Sequence, residues 1–148
     1  MTAADDGRFA GIAIDSDPSR LDLDVIHGFL CQSYWAEGIP RDTVRRAVEG
    51  SLCFGAYAGA RQVGFARVVT DGATFAYLAD VFVVESHRGR GLSRRLMEAV
   101  VSHPKLQGLR RWMLATRDAH GLYAEYGFTP LKAPERFMER HDPEVYRR

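Results

Sequence analysis

Hydrophobic residues in the first third of the chain recur mainly at helical spacing. The segment Leu21–Leu30 has hydrophobic side chains three and four positions apart, which predicts an amphipathic helix. Pro40 predicts the start of a second short helix, because proline is favoured in a first helical turn. Ahead of both, Phe9–Asp15 alternates enough to predict a first strand.

The hydrophobic pattern changes period after Gly50. Strands are predicted over Leu52–Ala58, Gln62–Thr70 and Thr74–Glu85. The dipeptide Asp71-Gly72 separates the last two, and Asp-Gly between hydrophobic runs favours a hairpin. The three strands are therefore predicted to form an antiparallel meander.

The second half of the chain alternates between helix and strand signals. In chain order, the predicted elements are a helix over Leu92–Ser102, a strand over Arg110–Thr116, a helix over Ala119–Tyr126, a strand over Phe128–Leu131 and a last strand at Phe137 and Met138. Strand–helix–strand order favours parallel pairing. The predicted fold class is an α/β domain with a mixed sheet, an antiparallel first half and about four helices.

Composition narrows the class of protein. The 148 residues fit one domain, with residues 1–7 expected to fray. Hydrophobic residues make up 46% of the chain and charged residues 26%, which is enough for a core. The net charge of +1, with both signs interspersed, gives no indication of nucleic-acid binding. No hydrophobic run reaches the roughly 18 residues of a membrane helix, and no signal peptide is evident.

The chain has two cysteines, Cys31 and Cys53. Two are too few for a disulfide scaffold, and neither belongs to a CxxC pair. Both lie in hydrophobic stretches, which predicts buried free thiols and suits a reducing compartment. We therefore expect a cytoplasmic protein, and we expect no metal site.

The loop Arg88–Ser93 joins a hydrophobic strand to the start of a helix. A helix N-terminus presents unpaired backbone N–H groups and binds phosphate readily. Gly89 and Gly91 would let a phosphate approach the backbone closely. A purely structural interpretation, with glycines that form a tight turn and arginines that cover the surface, stays open. A Rossmann site is disfavoured, because the third glycine of GxGxxG is missing.

These residues resemble the signature of the GCN5-related N-acetyltransferase (GNAT) family, Gln/Arg-x-x-Gly-x-Gly/Ala between a long strand and a helix. Here that signature reads Arg88-Gly89-Arg90-Gly91-Leu92-Ser93. A second pattern of the family, A-x-x-x-Y-x-x-x-G-F, follows over Ala119–Phe128. The order of elements is similar to the family from Phe9 to about Glu139. The resemblance implies a GNAT-like mixed sheet whose central strands are splayed by a bulge.

The resemblance implies transfer of an acetyl group from acetyl-CoA to an amine. By similarity, the pyrophosphate would bind the backbone of six loop residues, Arg88, Gly89, Arg90, Gly91, Leu92 and Ser93. The pantetheine arm would bond to the backbone around Phe82, Val83 and Val84. Tyr123 matches the tyrosine that contacts the cofactor and protonates the departing thiolate. Two positions depart from the family pattern: Ser93 replaces Gly or Ala, and Thr116 stands where an asparagine often bonds the cofactor.

The chemistry of the transfer requires a base and an oxyanion donor. A primary amine has a pKa near 10.4, so a group must remove its proton at neutral pH. Asp80 is the first candidate base, because an acid in the middle of a hydrophobic strand is unusual; a salt-bridge or capping role is the alternative. Less favoured candidates are Glu85 and His120, while His87, just before the cofactor loop, is expected to point to solvent or to the phosphates. The backbone N–H of Val83 or Val84 is the candidate oxyanion donor.

The acceptor site of the family lies between the first two helices and the later part of the sheet. Tyr34, Trp35 and Glu37 occupy that connection, and Tyr77 lies on the central strand. Trp35 either closes over the acceptor or fills the core beneath the loop. The acceptor is a small-molecule or peptide amine, and a homodimer is compatible with the family. The alternative function is a non-catalytic acyl-CoA-binding sensor or interaction module.

Overall fold

The computed structural model describes residues 11–147, so the predicted frayed segment 1–7 and the start of the predicted first strand lie outside the described residues. The five strands are β1 (Ile12–Asp15), β2 (Leu52–Ala58), β3 (Arg61–Thr70), β4 (Phe75–Val83) and β5 (Arg111–Leu114). The four α-helices are α1 (Leu23–Leu30), α2 (Arg41–Glu49), α3 (Leu92–Ser102) and α4 (His120–Ala124). The predicted bounds of α3 are confirmed, as are those of β2.

One sheet holds all five strands in the order β1-β2-β3-β4-β5. The first four strands pair antiparallel, and β5 pairs parallel with β4. A parallel neighbour requires a crossover connection, which α3 supplies. The predicted mixed sheet with an antiparallel first half and about four helices is confirmed.

A hydrophobic core lies on each face of the sheet. The α3 face is formed by the inner side of that helix with alternate residues of the strands. The α1/α2 face is formed by the inner residues of those two helices with three sheet residues, Cys53, Phe65 and Phe82. Burial of hydrophobic surface on both faces explains why the predicted strands contain continuous hydrophobic runs.

The start of α1 is fixed by two polar side chains. Asp22 caps the helix, since its carboxylate accepts hydrogen bonds from the N–H groups of Asp24 and Val25. Gln62, which is 1% exposed, accepts from the Asp22 N–H at 2.7 Å and donates to the Gly64 carbonyl at 3.1 Å. The helix therefore begins at Leu23, two residues later than the hydrophobic spacing predicts.

A bulge interrupts the pairing of β3 and β4. Ala66 pairs with Val81 and Val68 pairs with Leu78, so β4 has one extra residue opposite Arg67. The extra residue reverses which face each side chain occupies. Leu78 belongs to the core on the α3 face, whereas Phe82, four residues later, belongs to the α1/α2 face.

The strands β4 and β5 separate beyond the bulge. Their pairing runs from Phe75 with Arg111 to Leu78 with Leu114 and ends there. Beyond Leu78, residues 79 and 80 form the bulge, and residues 81–83 of β4 pair with β3 alone within the described part of the chain. The expected splayed central strands are therefore present, and one edge of β4 is left open.

The prediction of two C-terminal strands is wrong. Neither Phe128–Leu131 nor the stretch at Phe137 and Met138 forms a strand in the described residues. Pro130 and Pro134 lie in this segment, and proline has no N–H to donate to a sheet. Besides α1, the elements β4, β5 and α4 are shorter than the sequence predicts.

Gly55 is expected to be essential for stability, because the ring of Tyr57 packs on its Cα. A Cβ at residue 55 would lie 2.5 Å from Tyr57 Cζ and would overlap the hydroxyl. We expect Gly55→Ala to lower the free energy of unfolding by about 2 kcal/mol through overpacking. Urea denaturation measures this loss.

The control for this substitution is Gly28→Ala in α1, where a Cβ meets nothing within 4 Å. Removing a glycine from a helix is expected to stabilise by roughly 0.5–1 kcal/mol. Equal stability of Gly55→Ala and the unmodified protein would contradict the described packing of Tyr57.

Candidate active site

The N-terminus of α3 has open backbone N–H groups. Gly91 is the N-cap at φ 79°, and no side chain caps the helix. Gly89 has φ 77°, and a Cβ built there meets nothing within 4 Å. Both glycines thus adopt left-handed conformations that other residues rarely adopt. This geometry leaves room for an anion at the first turn of α3.

The four arginines near this turn differ in their contacts. Arg94 pairs with Glu125 at 3.1 Å, and Arg95 donates to the Ile12 carbonyl at 3.1 Å. Arg88 Nε donates to the Val83 carbonyl at 3.1 Å. Arg90 is exposed. Of the four, Arg88, Arg94 and Arg95 bind parts of the protein itself, so the structural interpretation holds for these three.

The open edge of β4 presents the N–H of Val83, whose carbonyl accepts from Arg88 Nε at 3.1 Å. The Val84 N–H donates to the Val63 carbonyl at 2.9 Å, so it is committed to β3. Peptide groups alternate in direction along an antiparallel strand. The N–H and C=O of Val83 therefore face away from β3, whereas Phe82 bonds toward β3. Of the two predicted oxyanion donors, Val84 is wrong because its N–H is occupied.

Tyr123 lies on α4 and is held by aromatic packing. Its ring makes an edge contact with Phe128 at 6.1 Å, and Phe128 contacts Trp112 of β5 at 6.2 Å. Thr116 Oγ1 accepts a hydrogen bond from the Ala119 N–H at 3.1 Å, which fixes the turn before α4. Burial raises the pKa of Tyr123, and the nearby Tyr34 and Asp118 raise it further. The phenol is therefore a proton donor at neutral pH.

Tyr126 connects α4 to α3. Its hydroxyl donates to the Arg94 carbonyl at 3.1 Å and so ties the end of α4 to α3. Tyr123 thus carries a partly buried phenol that bonds to no other described residue, whereas the phenol of Tyr126 is bonded to the backbone of α3.

Asp80 is held at the bulge by two donors. Trp35 Nε1 donates to its Oδ1 at 2.8 Å, and Arg67 Nε donates to its Oδ2 at 2.7 Å. Arg67 also donates to Ser51 Oγ at 3.1 Å. Asp80 is 7% exposed, so this ion pair is largely out of water. The predicted alternative of a salt-bridge role is what the geometry displays, and no contact tests the role as a base.

The connection between α1 and α2 places two aromatic side chains at the sheet. Trp35 is 40% exposed and Tyr34 is 51% exposed, so neither fills the core. Their rings meet edge to face at 5.1 Å, and Trp35 also contacts Phe29, which stacks on Phe82 at 4.0 Å. The interpretation that Trp35 fills the core is therefore wrong, and its closure over the acceptor stays a prediction.

The other two predicted acceptor residues are Tyr77, on β4, and Glu37, in the α1–α2 connection. Tyr77 is partly buried and pairs in register with Val69 of β3 and with Met113 of β5. It lies between Ala76 and Leu78, which face α3, so alternation along the strand places it on the α1/α2 face. Glu37 is exposed in the α1–α2 connection.

The thiols are free, as predicted. Cys53 is buried and Cys31 is partly buried. Burial raises the pKa of Cys53 to about 12, so it remains a neutral thiol. Among the described residues, no group of three His, Cys, Asp or Glu side chains is arranged to hold a metal ion. Within residues 11–147, no helix is long and hydrophobic enough to cross a membrane.

Sequence reasoning missed Arg67 and Arg117. Arg67 lies in the middle of a predicted strand with hydrophobic neighbours, and that signal resembles the one that singled out Asp80. The guanidinium carbon of Arg117 lies 3.8 Å above the centre of the Tyr34 ring. Arg117 has no comparable sequence signal, because it lies in a polar loop whose partner is more than eighty positions away.

An open cavity of about 700 Å³ lies elsewhere, beside β5. Trp112, Tyr126 and Phe128 contribute to its lining, together with the end of α3 and the following loop. None of the predicted site residues lines this cavity. The candidate site is instead the gap between β4 and β5, bordered by the α3 N-terminus, Tyr123 and the α1–α2 connection.

A mixed sheet with splayed central strands, next to a helix N-terminus without a side-chain cap, is typical of the GNAT class of acetyltransferases. The family model described as "Acetyltransferase (GNAT) domain" matches residues 49–130. The chain belongs to this family.

Individual relatives agree with this assignment. A crystal structure of a GNAT-family acetyltransferase from Xanthomonas campestris pv. campestris is 57% identical, with a TM-score of 0.89, and the match covers 91% of this chain and 96% of that one. A curated Gibberella zeae protein with an acetyltransferase name is 33% identical, covering 76% of this chain and 75% of its own length. A GNAT acetyltransferase from Elizabethkingia anophelis, crystallised with acetyl-CoA bound, has 13% identity and a TM-score of 0.63, covering 87% and 86% of the two chains, which shows a shared fold.

The buried ion pair at the bulge generates a stability prediction. We expect Arg67→Met to lower the free energy of unfolding by about 3 kcal/mol, because it leaves the Asp80 carboxylate buried without its cation. The double variant Arg67→Met with Asp80→Leu is expected to recover most of this loss, since no uncompensated charge remains. Denaturation of the three proteins measures the difference.

Arg94→Met is the matched control, since it breaks an exposed ion pair with Glu125 and is expected to change stability little. If Arg67→Met were no more destabilising than Arg94→Met, the ion pair would not be the support of the bulge.

Proposed function

We propose that this protein transfers the acetyl group of acetyl-CoA to a primary amine by direct attack. One observation carries the proposal: the open edge of β4 leads into an uncapped helix N-terminus, and α4, which carries Tyr123, is bonded to the first turn of that helix through Arg94. An extended pantetheine arm with a pyrophosphate fits such an arrangement, because the edge offers strand-like hydrogen bonds and the helix offers N–H groups.

The proposed acetyl-CoA site uses this chain's backbone in two places. The N–H groups of the loop from Arg88 to Ser93 would bind the pyrophosphate, and the exposed side chain of Arg90 adds positive charge. Ser93 is small enough to keep the loop accessible. The open edge of β4 around Val83 would pair with the pantetheine arm, which would replace Arg88 at the Val83 carbonyl. Thr116 keeps a hydroxyl hydrogen to donate, because its oxygen already accepts from Ala119.

The thioester supplies an activated acetyl group and a thiolate leaving group. The Val83 N–H is the proposed donor to the carbonyl oxygen as it gains charge, because it faces the gap rather than β3. Tyr123 is the proposed acid for the thiolate, and its raised pKa keeps the proton on the phenol. A thiolate with a pKa near 8.5 leaves readily, so the acid contributes modestly.

More than one side chain is a candidate for the general base. Asp80 stays the first candidate, but both its oxygens accept hydrogen bonds, so it would act through water after releasing one donor. Glu85 and His120 are the alternatives. His87 contacts the Ser86 hydroxyl at 2.8 Å, whereas His120 is exposed at the start of α4. The acceptor would enter along Tyr34, Trp35, Glu37 and Tyr77.

The alternative proposal is an acyl-CoA-binding module without catalysis. A thermal-shift assay with acetyl-CoA, followed by thiol release across an amine panel, separates the two. Stabilisation with thiol release supports the transferase, and stabilisation without it for any amine supports the module. Absence of any thermal shift would contradict both. We place the reaction in the cytoplasm, since free thiols suit a reducing compartment.

Gly91→Val is expected to raise the Kd for acetyl-CoA roughly tenfold or more, because a β-branched residue is strained at φ 79° and intrudes on the phosphate path. Isothermal titration calorimetry measures this change. Gly59→Val, at φ 60° in the turn between β2 and β3, is the control for strain alone. An unchanged Kd for Gly91→Val would contradict the loop assignment.

Tyr123→Phe is expected to lower kcat on the order of 100-fold, because it removes the proton that the thiolate receives, while the Kd for acetyl-CoA stays the same. Tyr126→Phe is the control, since that hydroxyl bonds to the backbone of α3. Steady-state thiol release gives kcat for both. A kcat for Tyr123→Phe equal to that of the unmodified enzyme would remove Tyr123 from the acid role.

A further inference from the structure

We propose that the acceptor is a small amine that also carries a carboxylate, and that Arg117 binds this carboxylate. The inference rests on the proposed acetyl transfer and adds the chemical class of the acceptor. Its starting observation is the position of the Arg117 guanidinium carbon, 3.8 Å above the centre of the Tyr34 ring. This distance places the cation directly over the face of the ring.

Stacking fixes the guanidinium but leaves its hydrogen-bond donors available. A guanidinium is planar, and its N–H groups point outward along its edge, so a ring that covers its face does not use them. Within residues 11–147, Arg117 forms no ion pair with a carboxylate. The arginine is therefore held in place with an uncompensated charge, as a bidentate carboxylate site requires.

The stacked pair lies beside the proposed reaction centre. Tyr34 meets the ring of Trp35 edge to face at 5.1 Å, and Trp35 Nε1 donates to Asp80 at 2.8 Å, so these two contacts join the stack to the bulge. Tyr34 also contributes to the raised pKa of Tyr123. Arg117 is thus placed at the proposed acceptor end of the site.

The charges around the stack favour an anion at Arg117. Of two other arginines on this side of the sheet, Arg67 is neutralised by Asp80 at 2.7 Å, and Arg88 donates to the Val83 carbonyl at 3.1 Å. Two acids adjoin the members of the stack in the chain: Asp118 follows Arg117, and Glu37 lies three residues after Tyr34 in the α1–α2 connection. Both are exposed, and neither is bonded to the guanidinium. Glu37 is free to attract the ammonium of the same acceptor.

The test compares each free amino acid with its carboxamide as acceptor in the thiol-release assay with acetyl-CoA. The carboxamide keeps the amine and lacks the carboxylate, and its less basic amine would by itself react more readily. We expect turnover with one or more amino acids and a KM at least tenfold higher for the matching carboxamide.

Substitutions locate this discrimination at the stack. Arg117→Gln is expected to raise the KM for the amino acid roughly tenfold and to abolish the preference over the carboxamide, with an unchanged KM for acetyl-CoA. Tyr34→Phe keeps the aromatic face and should retain the preference, whereas Tyr34→Ala should lose it. Arg140→Gln, an exposed arginine in the C-terminal tail, is the control for loss of positive charge.

Equal KM values for amino acids and carboxamides, or an Arg117→Gln effect on the KM for acetyl-CoA alone, would overturn the inference and leave the transferase intact. Turnover of carboxylate-free amines alone would overturn it in the same way. No turnover with any amine, despite a thermal shift with acetyl-CoA, would instead contradict the proposed transfer on which the inference depends.

Discussion

The buried ion pair between Arg67 and Asp80 is the interaction on which the rest of the site depends. It lies where β4 has one extra residue opposite β3, and a largely buried carboxylate is stable there because Arg67 and Trp35 both donate to it. Beyond the bulge, each side chain of β4 lies on the opposite face of the sheet from the one that strict alternation would give it, so Phe82 packs on the α1/α2 face. The bulge also coincides with the end of the pairing between β4 and β5.

The bulge and its ion pair affect both ends of the gap between β4 and β5. On the α3 side, the unpaired edge at Val83 lies beside a helix whose first turn is free of side-chain caps. On the other side, the indole that binds Asp80 sets the course of the α1–α2 connection and places Tyr34 near Tyr123 and under Arg117. One ion pair thus links the proposed acetyl-CoA edge to the proposed acceptor wall.

The sequence predicts those parts of the protein that depend on local pattern. The bounds of β2 and α3 are correct because alternation and helical spacing are continuous there. The loop with Gly89 and Gly91 was identified because positive φ and close approach require glycine. The strands predicted at Phe128–Leu131 and at Phe137 and Met138 are wrong. The prediction gave more weight to the hydrophobic residues of that segment than to its two prolines, which cannot donate to a sheet.

Features that depend on distant contacts were beyond sequence reasoning. The partner of Asp80 could not be chosen without the register of β3 and β4, and the commitment of the Val84 N–H to Val63 depends on the same register. The stack of Arg117 on Tyr34 joins two loops that are far apart in the sequence, with four of the five strands between them. These contacts follow from tertiary pairing, which no local period encodes.

A crystal structure with acetyl-CoA bound is the most direct measurement of the central claim, that the gap between β4 and β5 is the acetyl-CoA site. The account predicts the pyrophosphate on the N–H groups of the loop from Arg88 to Ser93 and the pantetheine arm along the open edge at Val83. Acetyl-CoA bound instead in the cavity beside Trp112 and Phe128, with the β4 edge unoccupied, would contradict it.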